Sequence, residues 1–171
     1  MKTWLLFAIL FVFSFSAFAQ NDPEQKLKEM KIELPAPSQP IANYVKFVRT
    51  GNLLFLAGHG PTRDEKLITG KLGKDMTVEQ GYEAARLTGI NMLATVKSAL
   101  GDLKKVKRIV KVTGLVNCTD DFKDQPKVMN GFSDLMVAVF GENGKHARAA
   151  LGTNSLPSGM AVEIEMILEV E

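Results

Sequence analysis

Residues 160–171, MAVEIEMILEVE, alternate almost without a break between apolar side chains and carboxylates. Met160, Val162, Ile164, Met166, Leu168 and Val170 fall on one side; Glu163, Glu165, Glu169 and Glu171 fall on the other. Successive strand side chains point to opposite faces, so this period of two describes a strand with one buried face. Just upstream lie an arginine in a small-residue segment, His146-Ala147-Arg148-Ala149-Ala150, and a Leu156-Pro157 turn. A cation and a carboxylate carried on rigid strands can bind and activate a small acidic substrate.

The remaining sequence supplies partners for this strand. Strands over 43–49 and 53–58 flank Thr50-Gly51-Asn52, a hairpin signal, and a short third strand is expected over 67–72. Thr77-Val78-Glu79-Gln80 has capping-box form and opens a helix that runs to Leu100 and stops at Gly101. Its stripe is Tyr82, Ala85, Gly89, Leu93, Val96 and Leu100, small enough in places for close approach to a sheet. A strand follows with Val106, Val110, Val112 and Val116 on one face and Lys105, Lys107, Lys111 and Asn117 largely opposite. A second helix begins near Pro126, buries Val128, Phe132, Leu135, Met136 and Val139, and ends at Gly141. Two last strands are expected over 146–152 and 160–170. The order βββαβαββ predicts an α+β domain, a mixed β-sheet with two helices packed on one face. Apolar residues on the other face, Ile109, Leu115 and Leu151, imply that partner subunits cover it.

The N-terminus reads as a targeting signal. Lys2 precedes an apolar run from Trp4 to Phe13, and Ala17-Phe18-Ala19 supplies a small-residue cleavage site. Residues 1–19 are therefore expected to be a cleavable signal peptide, which makes the chain an exported protein, periplasmic or secreted. Residues 20–33 read as a loose polar leader and 34–171 as one domain, with Leu34-Pro35-Ala36-Pro37 extended. Loss of Lys2 takes the formal charge from +2 to +1, a balance that does not suggest nucleic acid. The basic run Lys104, Lys105, Lys107, Arg108 and Lys111 lacks interleaved aromatics and reads as a solvated face. Cys118 is the only cysteine, so no internal disulfide is available and the core must carry stability.

Arg148 is the candidate anion ligand, since guanidinium offers two parallel donors to a carboxylate. Taken alone it also fits a surface strand arginine, but His146 shares its strand face and Ala149-Ala150 leave the backbone accessible. Glu163 is the candidate for orienting water, although alternation alone does not choose among the four glutamates. His59 follows Gly58 at a strand end. His59 and His146 are the only histidines and have no ligand spacing, so no metal is expected. Gly58-His59-Gly60 lacks the rest of a nucleotide-binding signature, and no cofactor is expected.

Taken together, TGNLLFLAGHGP at 50–61, DFKDQPKVMNGF at 121–132 and HARAALGTNSLPSGMAVEIE at 146–165 resemble the RidA (YjgF) family, in its longer endoribonuclease-like branch. The spacing from Arg148 to Pro157, then Glu163 six residues later, is the most specific part of the match. The resemblance implies a chorismate-mutase-like fold and a homotrimer with a central β-barrel and clefts between subunits. It implies cofactor-independent hydrolysis of reactive 2-imino or enamine acids to 2-oxo acids and ammonia. Arg148 would hold the substrate carboxylate, the Ala150 carbonyl the imine nitrogen, and Glu163 the attacking water, with Tyr44 closing the cleft. Ala57, Gly58, His59, Met129 and Asn130 would line it. Ala57, His59 and Ala150 stand where the family commonly has serine, glutamine and cysteine, and Met129 where it has asparagine. The alternatives are a small-carboxylate binding module without chemistry and, third, a ribonuclease.

Overall fold

The computed structural model describes residues 22–37, 40 and 42–171. The expected signal peptide lies outside them. A five-stranded mixed sheet is built from β1 (Phe47–Thr50), β2 (Leu53–His59), β5 (Val106–Asn117), β6 (Ala147–Thr153) and β7 (Val162–Val170), in the order β1-β2-β7-β5-β6. The C-terminal strand β7 is central and antiparallel to both neighbours, and β6 runs parallel to β5 at the sheet edge. Two long helices, α2 (Val78–Leu100) and α3 (Gln125–Phe140), cover one face. The chain is thus α+β, a mixed sheet with two long helices on one face, as its residue pattern predicts.

Local chemistry accounts for the element ends. Gly51, at φ 55°, makes the β1–β2 turn, and β1 begins at Phe47 rather than at 43. Thr77 and Gln80 form a complete capping box at the start of α2, with Thr77 N–H donating to Gln80 Oε1 (2.8 Å) and Gln80 N–H to Thr77 Oγ1 (3.3 Å). Gly101, at φ 79°, ends that helix. Between helices, Gly89 matters through size: a Cβ there would lie 2.9 Å from Leu135 and 3.1 Å from Met136, so the missing side chain sets the α2–α3 approach.

The β7 pattern holds along its length. Val162, Ile164, Met166, Leu168 and Val170 are buried under the helices, while Glu163, Glu165, Ile167 and Glu169 lie on the open face. In β5 the expected pattern fails at one point. Ile109 is fully buried and Val110 is 37% exposed, the reverse of the sequence reading. Irregularities in the β5–β7 pairing at Val106/Arg108 and Ile109/Lys111 switch the alternation, and beyond them Val112 and Val116 return to the core. Leu151 is on the open face as expected, 50% exposed, with Val48 and Phe55 also exposed there.

Two further segments differ from expectation. The third strand is reduced to β3 (Thr62–Arg63) and β4 (Lys66–Leu67), closed by Asp64 and Glu65 at positive φ, with single bridges at Thr69 and Leu72 continuing toward Met160 and Cys118. The segment read as a loose leader contains a helix, α1 (Pro23–Glu29), capped by Asp22. Leu27 on it is buried in the core, and ion pairs Lys104–Asp22 (2.8 Å) and Lys97–Glu24 (3.0 Å) link it to the body. Among the described residues no helix is long and apolar enough to cross a membrane.

Candidate functional site

Two clusters of candidate residues emerge, on different strands and different faces. The first is at the β6 edge. Register pairs Arg148 with Val112 and Ala150 with Gly114, so both point to the helix side of the sheet. There the Arg148 guanidinium meets α3. Nη1 donates to Asn130 Oδ1 (3.0 Å) and Ser133 Oγ (2.9 Å), and Nη2 reaches the Pro126 carbonyl at 3.5 Å. All three are neutral acceptors. Among the described residues no carboxylate pairs with Arg148, so its charge stays available to an anion.

Ser133 was not a candidate from sequence; its place one helical turn after Asn130 is the signal that would have found it. Its hydroxyl also contacts His146 Nε2 (3.1 Å), and His146 Nδ1 contacts the Gly144 carbonyl (2.7 Å). Burial, with the nearby Arg148 charge adding to it, holds the His146 pKa below its ordinary value against the opposing Gly144 hydrogen bond. Met129 corrects the expected cleft lining. It is fully buried, with its thioether packed on Gly114, so it faces the core, while its neighbour Asn130 faces Arg148.

The second cluster lies on the open face beside β2. Pairing shifts between Leu56 and His59, leaving Ala57 and Gly58 opposite the single residue Glu165. The Glu163 carboxylate occupies the space beside Gly58, where a Cβ would lie 3.0 Å from Glu163 Cδ. Glu163 is half-buried. Loss of solvent, and then the charge of Glu165, raise its pKa above the ordinary carboxylate value. Among the described residues its carboxylate has no hydrogen-bond or ion-pair partner.

His59 is on the bulge but turns inward. It is 4% exposed, with Nδ1 against the Ala57 carbonyl (2.7 Å) and Nε2 against Thr95 Oγ1 on α2 (2.9 Å). Its side chain therefore ties the bulge to the helix and does not line an open cleft, which corrects the sequence reading. Tyr44 is exposed just before β1, with the Lys46 ammonium 5.8 Å from its ring, and the Lys46 carbonyl accepts from Ala57 N–H (3.0 Å). Tyr44 thus lies two residues before the backbone group that pairs with the bulge.

The two clusters do not meet within one chain. Glu163 is opposite Leu115 and Arg148 opposite Val112, on opposite faces of the sheet and separated by β5. Strand spacing and rise put their Cα atoms about 14 Å apart. Among the described residues no cluster of His, Cys, Asp and Glu could hold a metal, and Cys118 is buried beside the Gln125 amide (3.6 Å). A groove between α1 and α2, lined by Leu27, Lys31, Leu34 and Ala94, shares no residue with either cluster.

Comparison with known proteins agrees with this architecture. A family model described as "YjgF/chorismate mutase-like, putative endoribonuclease" matches residues 24–168, beginning within α1. The chain therefore belongs to the YjgF (RidA) family. It is 41% identical over 157 residues to protein TCP17 of Trypanosoma cruzi, covering 91% of this chain and 98% of that one. The crystal structure of Atu1372 from Agrobacterium tumefaciens, a protein of unknown function, aligns with TM-score 0.82 at 44% identity, over 87% of this chain and 92% of its own. A Shewanella oneidensis protein described as "a putative endoribonuclease" aligns with TM-score 0.85 at 33% identity, over 88% of this chain and all of its own.

Proposed function

We propose that this protein binds a small carboxylate substrate, a 2-imino or enamine acid, in a cleft between neighbouring copies of the chain and hydrolyses it. The observation that carries the reading is a complementary pair of unfilled groups. Arg148 is a cation with only neutral partners, and Glu163 is a half-buried carboxylate with none. They face opposite sides of one sheet, so a second copy is needed to bring an arginine to a glutamate. The exposed Val48, Phe55 and Leu151 on the open face support that association, for which we propose the homotrimer of the family.

In this reaction Arg148 holds the substrate carboxylate through two parallel hydrogen bonds. Glu163 takes a proton from water as the oxygen adds to the carbon of the C=N bond. It returns that proton to nitrogen, then carries the hydroxyl proton of the adduct to the same nitrogen as the C–N bond breaks and the C=O bond forms, leaving a 2-oxo acid and ammonia. A carboxylate with a raised pKa suits such a shuttle, because it is a stronger base than an ordinary glutamate. Export to the periplasm or medium is part of the proposal and rests on the N-terminal sequence alone.

The test is release of ammonia and 2-oxo acid from imino acids generated in the assay by an amino-acid oxidase. Arg148→Ala and Glu163→Gln should each abolish the enzyme-dependent rate; full turnover by either variant sinks this site. A second reading, carboxylate binding without chemistry, draws on the inward turn of His59 and Met129, which removes two expected side chains from the cleft. Saturable binding of 2-oxo acids with no hydrolysis across the imine panel would favour it. RNA cleavage that survives both substitutions would point to a contaminant.

A further inference from the structure

The hydrogen bonds behind Arg148 can be assigned a direction. The Gly144 carbonyl can only accept, so His146 Nδ1 carries the proton that meets it at 2.7 Å. In the neutral ring Nε2 must then accept, and the group in reach is the Ser133 hydroxyl at 3.1 Å. With its proton committed to His146, Ser133 presents lone pairs to Arg148 Nη1, 2.9 Å away. The imidazole has little freedom to turn, since Phe132 meets it edge-on at 6.0 Å between centroids. Its half-buried site and the adjacent guanidinium both favour the neutral ring that this assignment requires.

The consequence falls on the guanidinium. Nη1 has two protons and spends them on Asn130 Oδ1 and Ser133 Oγ. The Nη1/Nη2 end is therefore closed to a bidentate ligand. Nε–H has no partner among the described residues, and Nη2 has two protons and one contact, the Pro126 carbonyl at 3.5 Å, so Nε–H with the remaining N–H of Nη2 forms the edge left to a carboxylate.

We infer that Ser133 and His146 are positioning residues that lock Arg148 so that a substrate carboxylate is taken side-on, by Nε and Nη2. This rests on Arg148 being the carboxylate-binding group.

The test compares Ser133→Val with Ser133→Thr, which match in shape and differ in the hydroxyl, together with His146→Phe, all in the full chain. The probe is 2-oxobutanoate, titrated by calorimetry. The Arg148 guanidinium is followed separately by 15N NMR without ligand. Ser133→Val and His146→Phe should each weaken binding roughly tenfold, the scale of one hydrogen bond to a charged group. The double variant should be no worse than either single, because both cut one chain. Ser133→Thr should bind as wild type. In the spectra, slow rotation about the Arg148 Cζ–Nη1 bond should become fast in Ser133→Val and His146→Phe only. Equal binding and equal rotation in Ser133→Val, Ser133→Thr and wild type would overturn the inference, since packing alone would then hold Arg148. Absence of 2-oxobutanoate binding in wild type would count against the proposed function instead, and the rotation measurement would still decide the locking. His146→Phe keeps the test open should Ser133→Val fail to fold.

Discussion

Gly58 and Glu163 share one space: the Glu163 carboxylate fills the position where a side chain on Gly58 would begin. The bulge at Ala57-Gly58 opens this space, and the inward His59–Thr95 hydrogen bond anchors the bulge to α2. Gly58→Ala should therefore act on Glu163 alone. The group it meets is the far end of a flexible side chain, which can swing away, so the fold should survive with a stability change within about 1 kcal/mol. Imino-acid hydrolysis should fall at least roughly tenfold, since a general base must stay within hydrogen-bond reach of its water. Steady-state kinetics beside a urea melt checks both halves.

Met129 and Asn130 are adjacent yet should behave oppositely. Met129→Ala opens a cavity over Gly114 and should destabilise by about 2–5 kcal/mol, with little change in the affinity of folded protein for 2-oxo acids. Asn130→Ala should leave the urea midpoint nearly unchanged and weaken binding through Arg148. Denaturation and titration calorimetry on the pair separate core from site.

Stability should fall on mild acidification. Burial holds the His59 pKa below its ordinary 6.5, so the unfolded chain binds the proton more readily than the folded one. The stability is complete above about pH 6.5 and is lost as pH falls from there through the lower folded-state pKa. His146 is shifted in the same direction and adds to the loss. Urea midpoints at pH 7.5 and 5.5 should differ in wild type, and the gap should narrow but not vanish in His59→Gln.

The open face of the sheet gives a test of assembly. Val48, Phe55 and Leu151 are exposed in the single chain at 54%, 38% and 50%. Phe55→Glu should place a charge in any subunit interface formed there and yield a monomer by sedimentation equilibrium, with the circular dichroism of the wild type. Imine hydrolysis should be lost with the oligomer, because the two clusters lie on different faces of one chain. A monomeric wild type with full turnover would refute the intersubunit cleft.

Elements with a strong local rhythm were legible in the chain itself. The Met160–Glu171 alternation, the Thr77–Gln80 capping box and the Gly101 and Gly141 stops each depend on neighbours a few residues away. The helix α1 was not, because seven residues are too few to hold a helix alone. Its Leu27 is buried only when the folded body is present. The exchange of Ile109 for Val110 was hidden for a related reason: a bulge belongs to a pair of strands, and nothing in β5 alone announces that Lys107 and Val110 will be its extra residues against β7.

The sequence by itself determined the order of the long helices and of the strands they cover, the buried side of β7, and, through the family resemblance around Pro157, the candidacy of Arg148 and Glu163. Tertiary structure decided which groups meet. Inter-strand register put Arg148 and Glu163 on opposite faces of the sheet. The phase of α3 over Gly114 sent Met129 inward and Asn130 and Ser133 to the arginine. The bulge in β2 turned His59 toward Thr95 and left room for Glu163 beside Gly58. Strand and helix periods follow from local backbone geometry, whereas register, phase and bulge position are fixed only when distant segments pack against one another.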